Sequence, residues 1–229
     1  MYPFSYEIPR SRRWRRPLVN SKIQVSDMTR ISSLPADDAT CGWYHLSKPR
    51  KPRPAHSGHS QARWVVVGAG FTGLAAARQL ATNFPDDEIV LVEAQEVGFG
   101  TSGRNAGFAI DLPHDIGAED YIGDIDIAKT VLKLNLGGQS YLKALIERYD
   151  IDCQFRHCGK YQAAVEDRGI AVLDAYRRGL DKLGQPYEVI EGRDMPEHIG
   201  TNFYRKGLFT PGTALLQPSA LVKGLADSL

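Results

Sequence analysis

Two short unbroken apolar runs stand out along the chain, Trp64-Val65-Val66-Val67 and Ile89-Val90-Leu91-Val92. Both are rich in β-branched residues and lack alternation, which predicts central parallel strands covered on both faces. Between them Leu74–Ala81 is dense in helix formers, Ala75, Ala76 and Ala77 among them, and Asn83-Phe84-Pro85-Asp86-Asp87 stops it. The order strand, glycine turn, helix, turn, strand (Glu88–Glu93) is a βαβ unit with a right-handed crossover. It predicts the start of a doubly wound sheet.

Beyond a glycine-rich loop at Gly98–Gly107, apolar residues return at helical spacing across Ile125–Tyr149: Ile127, Val131, Leu134, Leu142, Leu145 and Ile146. The pair Gly137-Gly138 predicts a kink or division of that helix. Gln154–His157 and Lys160–Val165, on either side of Cys158-Gly159, predict a hairpin. Gly169–Leu183 predicts an amphipathic helix, and Tyr187–Ile190 and Phe203–Phe209 further strands. Pro218 opens a last helix at a position where its missing N–H costs nothing. The fold class is α/β: an incomplete Rossmann-like parallel sheet, then part of a second, mixed-sheet lobe of α+β type. The expected divisions are a leader and linker at 1–61, the Rossmann-like portion at 62–124, helices and a partial sheet at 125–210, and a returning helix at 211–229.

The formal net charge of +1 averages two opposite halves. Residues 1–63 hold 12 Lys/Arg against 4 Asp/Glu, whereas 64–229 hold 16 against 23. The basic arm also carries 7 of the 13 prolines and no sustained apolar period, which predicts an extended or disordered leader. Ser11-Arg12-Arg13-Trp14-Arg15-Arg16 has the look of a twin-arginine signal, but no apolar stretch of roughly 7–15 residues follows it, so export is not expected. With one Trp and no periodic face, the cluster reads as a solvated tail rather than a nucleic-acid contact. Met28 offers a second start. No run approaches the roughly 18 apolar residues of a membrane-spanning helix. The three cysteines, Cys41, Cys153 and Cys158, form neither a disulfide framework nor a Cys-x-x-Cys pair, which fits reduced thiols in the cytoplasm. Cys153, His157 and Cys158 lack the second ligand pair of a zinc site, so no metal is expected.

Chemistry concentrates in the glycines. Gly68-Ala69-Gly70-Phe71-Thr72-Gly73 is a strict G-x-G-x-x-G between a predicted strand and a predicted helix. There Gly68 permits the turn, Gly70 lets backbone approach a pyrophosphate, and Gly73 lets helix pack on strand. The helix N-terminus turns free N–H groups and positive dipole toward the phosphates. Glu93, with Ala94 behind it, ends the second strand where a carboxylate can accept from both ribose hydroxyls of an adenosine, which disfavours a 2′-phosphate and hence NADP. Gly100-Thr101-Ser102-Gly103-Arg104-Asn105-Ala106-Gly107 is a second glycine-rich loop whose hydroxyls, amide and guanidinium can bind phosphate. A plain NAD domain has no use for it.

Together Val65–Leu74, Glu93 and Ser102-Gly103-Arg104-Asn105-Ala106-Gly107-Phe108 resemble the FAD-dependent D-amino-acid oxidase superfamily, most of all its γ-glutamylputrescine oxidase branch. Cys41-Gly42-Trp43-Tyr44 ahead of a Pro-rich linker, Gly159–Ala164 and Gln217-Pro218-Ser219-Ala220-Leu221 fit that branch as well. The resemblance spans roughly residues 34–229. It implies FAD as cofactor and an oxidoreductase that removes a hydride equivalent from the carbon of a C–N bond, after which the imine is hydrolysed. It further implies that Gly68, Gly70 and Gly73 meet the pyrophosphate, Glu93 the ribose, and Ser102, Arg104 and Asn105 the phosphate and flavin-proximal side. A small amine or amino acid is the implied substrate. No catalytic base emerges, since a lone His157 or Tyr161 near a hairpin is more often packed or surface-borne.

Members of that superfamily are far longer, so the chain reads as an N-terminal half whose parallel sheet keeps an unpaired edge and exposed apolar surface. Two readings follow: the cofactor-binding portion of an amine oxidoreductase, and a non-catalytic truncated fragment of one. An NAD-dependent dehydrogenase is the weaker third.

Overall fold

The computed structural model describes residues 40–51, 53–115 and 117–229. The arginine cluster around Trp14, the alternative start Met28 and the first 39 residues of the expected leader lie outside the described residues. Within that leader Gly42–Leu46 forms a one-turn helix, α1. The parallel unit follows as β1 (Trp64–Val67), α2 (Phe71–Asn83) and β2 (Ile89–Val92), paired in register from Trp64 with Ile89 to Val67 with Val92. A single 3₁₀ turn, Thr101–Gly103, leads to the short β3 (Phe108–Ala109) and the long α3 (Ile125–Arg148). After β4 (Arg156–His157) and β5 (Lys160–Ala164) come α4 (Asp167–Leu183), β6 (Glu188–Glu191) and α5 (Met195–Ile199). β7 (Lys206–Thr210), β8 (Ala214–Leu215) and α6 (Pro218–Asp227) complete the order.

Three sheets result: β1-β2 parallel, β3-β8-β4 and β5-β7-β6 antiparallel. The second lobe, expected as a mixed sheet, shows only antiparallel pairs among the described strands. Asp124 starts α3 by accepting from the Asp126 and Ile127 N–H groups at 3.0 and 2.9 Å, a side-chain N-cap that stabilises by about 1 kcal/mol. The helix then runs between two cores. Ile125, Ala128 and Leu132 pack with Leu173, Tyr176, Leu180 and Leu208 against the antiparallel sheet. Leu142, Leu145 and Ile146 pack with Leu74, Leu221, Val222 and Leu225 beneath α2 and α6.

The expected break at Gly137-Gly138 does not occur. Both glycines face open space on the exposed side of an uninterrupted helix. Each weakens the helix by about 1 kcal/mol relative to Ala, which the two flanking cores offset. The expected hairpin is also replaced. β4 pairs with β8 and β5 with β7, so residues 156–164 pair antiparallel with 206–215 in two successive ladders rather than folding on themselves. Between the two ladders residues 158–159 face 211–213, and Gly159, at φ +69°, donates its N–H to the Thr213 carbonyl at 2.8 Å.

β1 departs from its expected two-sided burial. Val65 and Val67 are 61% and 83% exposed while Val66 lies half-buried. α2 covers one face of the two-strand sheet, and no described element covers the other. The exposed apolar surface expected of an incomplete parallel sheet is therefore present at these two valines. Among the described residues no helix is long and apolar enough to cross a membrane.

Candidate functional site

The first glycine turn begins where β1 ends. Gly68 donates to the Val92 carbonyl at 2.7 Å, tying the turn to β2, and adopts φ +97°, a conformation that L side chains rarely take. Gly70 is the extended residue before α2, and the first helical bond is Leu74 N–H to the Gly70 carbonyl at 3.0 Å. The N–H groups of Thr72 and Gly73 therefore stand ahead of the helical ladder, with the positive end of the helix dipole behind them. A Cβ on Gly73 would lie 1.8 Å from the Gly68 carbonyl oxygen, so only glycine lets the helix close on the turn.

Glu93 reaches back across the turn. One carboxylate oxygen accepts from Ala69 N–H at 2.6 Å, and the other from Ala94 at 2.8 Å and Gln95 at 3.3 Å. A carboxylate offers about four acceptor positions, so the exposed group retains capacity while it fixes the turn. The ribose role expected for it is joined by this structural one.

The structure brings Ser102 to the first turn. Its hydroxyl accepts from Phe71 N–H at 3.0 Å, and a Cβ on Gly70 would come within 2.8 Å of it. Arg104 and Asn105 of the second loop bond to its backbone. Arg104 donates from Nε to the Phe99 carbonyl at 2.6 Å and lays its guanidinium 4.8 Å over the Phe99 ring. Asn105 donates to the Ser102 carbonyl at 2.8 Å and accepts from Gly107 N–H at 2.9 Å. The Gly100 carbonyl accepts from Gly103 and the Thr101 carbonyl from Arg104. Gly107, at φ +78°, sits against the Leu216 carbonyl, which a Cβ would approach to 2.2 Å. Ser102, Arg104 and Asn105 thus also build the loop.

Sequence reasoning passed over a symmetry in this loop. Gly98-Phe99-Gly100-Thr101-Ser102-Gly103 repeats the G-x-G-x-x-G spacing, and its backbone repeats the first turn: Gly98 has φ +89°, Gly100 is extended, and a Cβ on Gly103 would lie 2.0 Å from the Gly98 carbonyl. The spacing was the available signal. Of the side chains that anchor this second turn, Tyr44 and Ser219 lie in segments that carry the family resemblance, whereas Ser47 and Lys223 had no local signal.

Beside the first turn an apolar cavity of about 320 Å³ opens between α2 and α3, lined by Phe71, Leu74, Asn105, Gly107, Tyr141 and Leu142 among others. His157 and Tyr161 lie apart on β4 and β5. The His157 ring meets the Gly212 carbonyl at 2.8 Å, and Tyr161 meets His198 at 3.4 Å and the Phe209 ring at 4.8 Å.

Comparison with known proteins agrees with this geometry. The family model described as DAO, FAD dependent oxidoreductase, matches residues 63–229. The γ-glutamylputrescine oxidoreductase of Escherichia coli is 29% identical over 166 residues, which cover 72% of this chain and 38% of that protein. A probable oxidoreductase OrdL of Haemophilus influenzae is 30% identical over 166 residues, 71% of this chain and 38% of its own length. Among solved structures, glycine oxidase from Geobacillus kaustophilus superposes with a TM-score of 0.59 at 19% identity, over 72% of this chain and 43% of that one, a likeness of fold. The chain spans about two fifths of the length of these relatives. An open glycine turn at a helix N-terminus, a carboxylate at the end of the second strand and a family match that begins at β1 carry one conclusion: the chain belongs to the DAO family of FAD-dependent oxidoreductases.

Proposed function

We propose that the chain supplies the dinucleotide-binding part of an FAD-dependent oxidoreductase that oxidises the C–N bond of a small amine or amino acid, with a γ-glutamylputrescine-like amine as the leading substrate. The observation that carries this reading is the contrast in access at the two glycine turns. The first has its opening glycine, Gly68, facing open space and Glu93 at the surface, while the opening glycine of the second, Gly98, is buried against α6. FAD, when bound, supplies the acceptor for the hydride equivalent.

The residues present fit such a group. Thr72 and Gly73 offer backbone donors to a pyrophosphate, and Gly68 and Gly70 leave no Cβ in its way. Glu93 keeps acceptor capacity for ribose hydroxyls while holding Ala69 in place. The apolar cavity beside Phe71 and Gly107 has the size and lining that a planar aromatic group requires. Ser102, Arg104 and Asn105 keep the neighbouring loop rigid, so that the donors are positioned before the ligand arrives. No described side chain is assigned the proton-accepting role.

The test is flavin retention by the full chain. Incubated with FAD and passed through gel filtration, the protein is expected to keep flavin absorbance, and a Gly70→Trp variant of the same elution volume to lose it. A folded chain that keeps no flavin overturns the proposal. Reduction of retained flavin by γ-glutamylputrescine, glycine, sarcosine or D-amino acids under anaerobic conditions then ranks the substrates.

A further inference from the structure

The segment ahead of the glycine turns is fastened at both ends of the second one. The Tyr44 hydroxyl donates to the Glu96 carboxylate, two residues before Gly98. The edge of the Tyr44 ring meets the Phe99 ring at 5.4 Å, and Phe99 in turn holds Arg104 through its carbonyl and its ring. On the other side α6 grips the same segment. Lys223, 6% exposed, donates to the Ser47 hydroxyl at 2.7 Å and the Lys48 carbonyl at 3.4 Å, and places its ammonium 4.1 Å over the Tyr44 ring. The Ser47 and Ser219 hydroxyls lie 3.0 Å apart, and Gln217 donates to the Trp43 carbonyl at 2.7 Å. A buried ammonium is costly unless solvated by protein groups, and here it is met by a ring and two oxygens.

We propose that Tyr44 and Lys223 are positioning residues for the cofactor turn, acting through Phe99 and Ser102. α1 and α6 clamp Gly98–Gly103 between them, and that turn presents the Ser102 hydroxyl to Phe71 N–H beside Gly70. The Ser102 hydroxyl accepts from Phe71 N–H at 3.0 Å, so a displacement of the second turn reaches the first through that bond. It follows from linkage that docking of residues 41–50 tightens cofactor binding by the same factor by which bound cofactor tightens their docking. This rests on the flavin reading above, but the coupling of α1 to the second turn does not.

The experiment separates the two. Amide hydrogen exchange is followed in the full chain, with and without FAD, for wild type, Tyr44→Ala, Tyr44→Phe, Lys223→Met and Lys223→Arg. The α4 and β5–β7 amides serve as an internal record of global stability. Without FAD, Tyr44→Ala and Lys223→Met are expected to raise exchange at Phe99, Gly103 and Arg104 about tenfold. Lys223→Arg, which keeps charge and ring contact, should stay near wild type. With FAD, Tyr44, His45 and Ser47 amides of wild type should be protected, and Tyr44→Ala should bind FAD about tenfold more weakly in a fluorescence titration. Tyr44→Phe, which loses only the Glu96 bond, should fall between. Unchanged exchange at 99–104 in Tyr44→Ala and Lys223→Met overturns the clamp whatever FAD does. Raised exchange there with unchanged FAD affinity overturns its cofactor role. Raised exchange in the two variants beside a wild type that binds no FAD overturns the flavin reading and with it the positioning role, while leaving the mechanical clamp in evidence.

Discussion

The two glycine turns of this chain have the same backbone and opposite surroundings. Gly68–Gly73 and Gly98–Gly103 each open on a glycine of positive φ, pass through an extended glycine and close on a third that lies about 2 Å, as an imagined Cβ, from the first one's carbonyl. After the first turn, α2 continues for 13 residues and builds a dipole; after the second, the helix stops at three. Gly98 is packed against Ser219, Val222 and Lys223 of α6, whereas a Cβ on Gly68 would meet nothing within 4 Å. The motif makes a tight turn wherever it occurs. The first turn has a long helix behind it and open space at Gly68, whereas Gly98 of the second meets α6.

Alanine at the last glycine of each turn is the most severe way to break this equivalence. Gly73→Ala and Gly103→Ala both drive a Cβ into backbone, so each should cost about 3 kcal/mol, read as a lowered urea midpoint at unchanged slope. A much larger loss at one than at the other would show that the two backbones are not equivalent. The first glycines should separate the turns. Gly98→Ala combines strain at φ +89° with contacts of 3.2–3.4 Å to α6, for a loss of about 2–3 kcal/mol, while Gly68→Ala bears the strain alone, about 1–2 kcal/mol. Equal losses would mean that α6 yields easily and that the second turn is less enclosed than it looks.

How much of this could be read from sequence depends on how far apart the partners are. β1, α2 and β2 are legible because their signals are local: two β-branched runs, an alanine-rich segment and a glycine spacing with an acid at the strand end. Two-sided burial of β1 was not legible, because it depends on elements that pack from elsewhere, and Val65 and Val67 are left open. The 154–165 hairpin failed for a related reason. Cys158-Gly159 between two short segments suggests a turn, but the partners of both strands lie some fifty residues on, and 158–159 instead face the extra residue of 211–213. In the site, Ser102, Arg104 and Asn105 stand out as hydroxyl, guanidinium and amide in a glycine-rich loop, but their bonds to the loop backbone leave no mark in sequence, since these groups suit phosphate and backbone equally. Tyr44 and Lys223 meet across 179 positions in sequence, so their pairing left no local trace.

The middle glycines give a smaller contrast. Gly70→Ala displaces the Ser102 hydroxyl, a flexible neighbour, at the expense of its bond to Phe71 N–H, about 1 kcal/mol. Gly100→Ala meets nothing within 4 Å in an extended backbone that alanine adopts freely, so it should leave stability unchanged or raise it by about 0.5 kcal/mol through the unfolded state. Flavin retention should follow the same order, reduced in Gly70→Ala and preserved in Gly100→Ala. Loss of flavin in Gly100→Ala would place the second turn at the ligand after all.

The finest distinction is in pH, because the second turn is anchored through titrating groups. Burial holds the Lys223 ammonium below its usual value of 10.5, with the Glu96 carboxylate partly opposing, and Ser47, Ser219 and the Tyr44 ring complete its surroundings. The Tyr44 hydroxyl is held above its usual 10.0, first by its hydrogen bond to Glu96 and then by burial. The unfolded chain therefore binds more protons at Lys223 as pH climbs from its folded value to 10.5, so this group adds stability over that window. The folded chain keeps the Tyr44 proton longer, so stability declines as pH passes 10.0. Measured against wild type, Lys223→Met should lose the alkaline rise and Tyr44→Phe the decline beyond it, while contributions from other groups cancel in the difference. Parallel pH profiles for all three proteins would remove these two residues from the anchorage of the second turn and leave its burial to α6 packing alone.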